Sequence, residues 1–281
     1  MRCRRYSASA VAGWYRRARR TWRRSLPRRV LRSRCGRSST SHHLPISISV
    51  SLTWNDYGNR DAFVEGVIAD VRGSIEDAIA ARGRATIALS GGKTPVAILE
   101  RLAALPLPWS SVTVLPSDDR IVPISDALSN AGMLVRIFGR SGARVVPLVG
   151  AVAPRHEAGQ RADAVLQRLE WPLDLVWLGM GADGHTASIF AGPDLEAALM
   201  PADGVRAVGV HPEPLPPEAP VDRVTLTAPA IAAARRCVVV IEGDAKRAVL
   251  ERAVAEGAGS SAPVGQVLAQ RTASTTVHLL R

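Results

Sequence analysis

The sequence predicts an α/β protein with a mainly parallel, doubly wound sheet and helices on both faces. Three observations carry this. Short apolar runs of strand length recur along the chain, segments with apolar residues at helical spacing separate them, and glycine-rich turns follow two of the runs. With 281 residues, 47% hydrophobic and 22% charged, the chain can bury a large core, which excludes disordered and fibrous classes.

The elements follow in order. Ile46, Ile48, Val50 and Leu52 alternate with small polar residues, the period of a strand with one buried face. Phe63, Val67, Val71, Ile75 and Ile79 then recur at helical spacing, and Gly83 supplies the stop. Residues 85–90 read as a buried strand. The turn Gly91-Gly92-Lys93 follows, then a helix with Thr94 as N-cap and Pro95 at its first position. The alternation continues with a strand over 111–115, helices near 130–138 and over 157–169, and an apolar strand over 173–178. A strand near 206–210 leads into 211–220, where prolines occupy five of ten positions, the composition of a surface loop. A strand over 221–226, a helix over 229–234, a strand over 237–241, a helix over 245–255 and a strand over 276–280 complete the pattern. Such a sheet binds ligands at the carboxyl ends of its strands.

Charge is distributed unevenly. The formal net charge is +11, yet residues 1–45 hold fourteen of the 36 basic residues and no Asp or Glu, leaving 22 basic against 25 acidic groups in the body. Three readings of this Arg-rich head are open: an organelle transit peptide, a basic arm for nucleic acid or acidic membrane, and a start codon assigned too far upstream. The last is preferred. On each reading the head is expected to be disordered and outside the chemistry, with 46–281 as a single catalytic domain and no nucleic-acid role for it. Cys3, Cys35 and Cys237 are an odd number at no metal-like spacing, which points to a reducing, cytosol-like compartment and no metal. No apolar run approaches the roughly 18 residues that span a bilayer, so no membrane role is expected.

Four motifs lie where ligands bind. Ser90-Gly91-Gly92-Lys93-Thr94-Pro95 places glycines and a helix N-terminus after a strand, suited to an anion such as phosphate; the plain alternative is an ordinary βα turn. Lys93 and Lys246 are the only lysines, and both follow expected strands. The same stretch approaches a nucleophile elbow but lacks its first glycine, which disfavours a serine esterase. Gly179-Met180-Gly181-Ala182-Asp183-Gly184-His185 matches a dinucleotide fingerprint formally. No helix follows at once, however, and Asp203 precedes the next strand instead of ending it, so the loop is read as presenting His185 and Asp183. Asp118-Asp119-Arg120 is either a solvated salt-bridge turn or part of the site. Arg223 opens a strand and Lys246 a helix, each a surface cation or a phosphate ligand.

Together these motifs resemble the 6-phosphogluconolactonases: 90–95, Asp118-Asp119-Arg120 with Val122-Pro123 and Ser129-Asn130, 178–190, Arg223-Val224-Thr225-Leu226-Thr227, and Gly243 with Lys246. The resemblance covers 46–281 and implies the fold shared with sugar-phosphate isomerases. It implies a cytosolic, cofactor-free hydrolase of the oxidative pentose phosphate pathway that converts 6-phosphoglucono-δ-lactone to 6-phosphogluconate; separately, a monomer or weak homo-oligomer is expected. It further implies a phosphate cradle of Ser90, Gly91, Gly92, Lys93, Thr94, Arg223 and Lys246, and a catalytic side of His185, Asp118 and Arg120. His185 would act as general base, Arg120 as oxyanion stabiliser, and Asp183 or Asp118 would fix the imidazole tautomer or bind sugar hydroxyls. Asp119 departs from the family's usual Glu, and Lys93 from its small polar residue.

Two rivals remain. A glucosamine-6-phosphate isomerase/deaminase shares the fold and the Asp-Gly-His element, but its acidic turn lacks the Arg and its loop differs after that element. A sugar-phosphate sensor or nucleic-acid binder would use the arginine head as its arm.

Overall fold

The computed structural model describes residues 51–281. The expectations for 1–45, and for Ile46, Ile48 and Val50 of the opening strand, lie outside the described residues. The first strand, β1 (Leu52–Tyr57), runs further toward the C-terminus than the alternation suggests. Helix α1 (Arg60–Arg82) begins where the Asn59 side chain accepts from Ala62 N–H at 2.9 Å and stops at Gly83, whose φ of 74° carries the backbone out of the helix. Phe63, Val67, Val71 and Ile75 form its buried stripe, as their spacing requires.

Strand β2 (Ala85–Leu89) is buried throughout and leads into helix α2 (Lys93–Ala103). This helix starts earlier than expected. Gly92, at φ 108°, is its N-cap in place of Thr94, and Pro95 falls at the third helical position, where its missing N–H removes a donor that would have no helical partner. There follow β3 (Val112–Pro116), β4 (Asp118–Arg120), α3 (Asn130–Phe138), β5 (Arg144–Val145), α4 (Arg155–Leu166) and β6 (Leu175–Leu178). The remainder comprises α5 (Leu195–Leu199), β7 (Ala207–Val210), β8 (Arg223–Leu226), α6 (Ala228–Ala232), β9 (Arg236–Glu242), α7 (Asp244–Glu256), α8 (Pro263–Leu268) and β10 (Thr275–Leu280). Strands β4 and β5 and helices α5 and α8 are too short or too weakly periodic to stand out in the sequence.

One sheet has the order β1-β10-β9-β6-β2-β3-β5 with every pair parallel. Side chains alternate between two cores. Val176 and Leu178 of β6 and Val239 and Ile241 of β9 face one, with α4, α6, α7 and α8; Leu175, Trp177, Val238 and Val240 face the other, with α1, α2 and α3. Strands β4, β8 and β7 form a separate antiparallel sheet. The acidic turn is thus itself a strand, and the proline-rich 211–220 connects two antiparallel neighbours, which need no crossover helix. From β2 the chain winds outward to β3 and β5, then returns to lay β6 on the other flank of β2. A crevice opens at such a reversal, between the loops after β2 and β6.

Helix α4 lies directly on β7 because Gly159 and Gly209 face each other: a Cβ on Gly159 would run into Gly209 N, and one on Gly209 into the Arg155 carbonyl. Gly159→Ala should therefore push helix from strand and cost about 1–3 kcal/mol, the usual range for overpacking. A urea midpoint equal to the parent's would contradict that packing.

Candidate active site

The crevice holds a cavity of about 550 Å³ lined from both flanks of the reversal, a volume suited to a small phosphorylated sugar. From β2 come Ser90, Gly91, Gly92 and Thr94. The start of α2 supplies backbone N–H groups and the positive end of a helix dipole, which favour an anion. A Cβ on Gly91 would run into the Asn130 side chain, so glycine here lets the start of α3 approach the loop after β2. The Lys93 side chain lies outside the described residues.

The loop after β6 carries His185. Its Nδ1 lies 2.6 Å from Asp183 Oδ1, and the same carboxylate oxygen accepts the His185 backbone N–H at 3.2 Å. An ionised carboxylate only accepts, so Nδ1 carries the proton and Nε2 of the neutral ring has a free lone pair. The sequence left Asp183 and Asp118 open as partners of this imidazole. Asp183 is the one that bonds it, whereas Asp118 is buried and accepts from Ser188 Oγ at 2.5 Å and Ser117 Oγ at 3.3 Å.

The acidic turn is not a solvated ion pair. Asp118 and Asp119 are buried, and Asp119 receives the backbone N–H groups of Arg120, Asn130 and Ala131 at 2.9, 2.7 and 3.1 Å. It thereby joins β4 to the start of α3, which explains why a carboxylate is needed there although it does not line the cavity. Arg120 does line it, donating to Asn130 Oδ1 and the Leu128 carbonyl, while its buried Nε has no partner among the described residues.

Arg223, from β8, is buried and also lines the cavity. One Nη donates to the Ala219 carbonyl at 3.2 Å, and its Nε is a second buried donor with no partner among the described residues. Burial pulls its guanidinium below the ordinary value and Arg120 adds to that, while Asp118 and Glu218 oppose it. Lys246 also lines the cavity and donates to the Met180 carbonyl at 2.7 Å, tying α7 to the His185 loop. The structure thus brings together Ser90, Gly91, Gly92, Thr94, Asp118, Arg120, His185, Arg223 and Lys246, with Asp183 behind the imidazole. Sequence reasoning missed Glu218 and Glu242. Glu218 sits in the proline-rich loop, where nothing marks it. Glu242 ends β9 just before Gly243, a carboxyl-end position that pointed to it; Arg60, bonded at 2.9 Å, holds its carboxyl below the usual range.

A family model described as glucosamine-6-phosphate isomerases/6-phosphogluconolactonase matches residues 58–277. The 6-phosphogluconolactonase of Pseudomonas aeruginosa is 37% identical over 84% of this chain and 96% of its own length; that of Pseudomonas putida is 42% identical over 66% and 76%. Among solved structures, a 6-phosphogluconolactonase from Shewanella baltica superposes with a TM-score of 0.75 at 27% identity, covering 84% of this chain and 100% of that one. A monomeric glucosamine-6-phosphate deaminase shares the fold at 16% identity and a TM-score of 0.67.

Burial pushes the Asp119 carboxyl up from 3.8 to about 6, against the pull of its three N–H donors. The folded chain therefore holds this proton more tightly than the unfolded one. The group's stabilisation is complete below the unfolded value of 3.8 and is lost as pH rises through about 6, on the order of 3 kcal/mol in all. Asp119→Asn cannot titrate, so parent and variant should differ increasingly in the variant's favour from pH about 4 to about 7 in denaturant titrations. A pH-independent difference would show that the N–H donors cancel burial, and one that moves in the parent's favour as pH rises that they outweigh it.

Proposed function

The chain belongs to the glucosamine-6-phosphate isomerase/6-phosphogluconolactonase family, on its lactonase side, and we propose how it acts: it hydrolyses 6-phospho-D-glucono-1,5-lactone to 6-phospho-D-gluconate with His185 activating the water. The observation that carries the reading is the Asp183–His185 pair on a cavity whose other wall holds Arg223 and Arg120. A lactone is an activated ester, so the reaction needs a positioned water, a base for its proton and positive charge for the tetrahedral oxyanion.

The phosphate binds the α2 N-terminus and the Ser90–Thr94 loop, with Arg223 and Lys246 as cations. Held by this remote group, the lactone carbonyl lies near His185. Nε2 takes a proton from water as the oxygen attacks C1, and Asp183 stabilises the imidazolium. Arg120 steadies the oxyanion. Collapse breaks the bond from C1 to the ring oxygen, which takes the proton from His185; the new carboxylic acid then loses its remaining proton to solvent, and Arg120 faces the product carboxylate. Asp118, fixed by Ser188, accepts from a sugar hydroxyl. This chemistry calls for no metal and no cofactor. Every group invoked comes from one chain, so a monomer or weak homo-oligomer suffices. The buried Cys237 thiol, free of disulfide and pushed up to about 11 by burial, is compatible with a reducing cytoplasm.

Proton release from freshly prepared lactone, corrected for spontaneous hydrolysis, tests the assignment. His185→Ala should lower kcat by roughly 10²–10⁴-fold. Arg223→Gln should raise KM for the phosphorylated lactone by roughly 10–100-fold, as expected for a charge-assisted bond to phosphate, and leave unphosphorylated gluconolactone unaffected. A parent at background rate that instead releases ammonia from glucosamine 6-phosphate would favour the isomerase/deaminase reading.

A further inference from the structure

Phe190 belongs to no part of the reaction described so far, yet it touches both ends of it. Its ring stacks on the His185 imidazole with centroids 4.1 Å apart and planes 26° apart, and the Arg223 guanidinium carbon lies 5.2 Å from the same centroid. These are the distances of a stacked aromatic pair and of a cation over a ring.

The contact is built into the backbone. Residues 186–189 make a tight turn in which Ile189 N–H donates to the Thr186 carbonyl at 2.9 Å, and this turn folds Phe190 back onto His185. Within it Ala187 has φ 48°, the only left-handed non-glycine residue described, a conformation that costs of order 1 kcal/mol or more and persists only where surroundings enforce it. The surroundings are present: Ser188 N–H donates to Thr225 Oγ1 at 3.2 Å, and Ser188 Oγ to Asp118. On Gly181 a Cβ would run into the imidazole, so backbone and Phe190 together restrict how the ring can tilt.

We propose that Phe190 is a positioning residue for the hydrolysis: its ring sets the plane of the His185 imidazole and joins it to the guanidinium of Arg223, so that base and phosphate anchor hold one mutual orientation. This rests on the roles given above to His185 and Arg223. Asp183 fixes the imidazole at Nδ1 but leaves rotation about that bond, which the stack removes. An apolar side chain of similar size would fill the space without a π face for the imidazole or the guanidinium.

The test uses the full chain with Phe190→Leu and Phe190→Tyr. In proton NMR of the parent, the His185 ring protons should be displaced upfield by the ring current of Phe190; Phe190→Leu should abolish the displacement and Phe190→Tyr keep it. In lactone hydrolysis Phe190→Leu should lower kcat about 10–100-fold, the scale of a small misplacement of a reacting group, and raise KM through Arg223, with both restored in Phe190→Tyr. An active parent without the upfield displacement overturns the stack, and needs no variant to fold. Loss of the displacement with kcat and KM at parental values overturns the positioning role, as does equal loss of activity in both variants. A parent that shows the displacement but does not hydrolyse the lactone overturns the proposed function instead, and the positioning role with it.

Discussion

Parallel pairing of β2 with β3 on one flank and β6 on the other is the constraint from which the site follows. Parallel strands end at one edge, so the loops after β2, β6 and β9 emerge together. Because the winding reverses at β2, the first two diverge to opposite faces and leave a crevice that side chains do not fill. Gly179 shows how tightly the rims meet: a Cβ there would lie 3.2 Å from Ser90 Oγ. The loop after β2 and the His185 loop, nearly ninety residues apart in sequence, become neighbours through hydrogen bonds made well below them in the sheet.

The second sheet adds what the first cannot. Strands β4 and β8 pair antiparallel, Arg120 opposite Arg223, and deliver two guanidinium groups and Asp118 to one wall. Burying such groups is costly, and the cost is met locally by hydrogen bonds to Ser188, Asn130 and the carbonyls of Leu128 and Ala219. The Nε atoms of Arg120 and Arg223 have no partner among the described residues. The acidic turn thus lines the cavity with Asp118 and ties β4 to α3 with Asp119.

Much of this was legible in the sequence. Strand length, helical spacing and the stop at Gly83 identify the α/β class, because periodicity directly records which residues share a face. The glycine turns, His185 and Asp118-Asp119-Arg120 were recognisable from residue type and position after strands. What could not be read was partnership. Two aspartates in separate motifs are able to orient His185, and only folding places Asp183 against Nδ1 and turns Asp118 to Ser188. Glu218 carries no local signal for joining the cavity, since its proline-rich loop looks the same wherever it leads, whereas Glu242 is marked only by its place at the carboxyl end of β9.

The sequence by itself determined the class of fold, its longer elements and most of the residues able to do the chemistry, because these are recorded in spacing between near neighbours. The tertiary structure decided the separate antiparallel sheet, the burial of Asp119, the pairing of His185 with Asp183 and the stacking of Phe190 on that imidazole. All depend on how segments far apart in the chain are brought into register, and on the low-dielectric interior they create together, which no local pattern specifies.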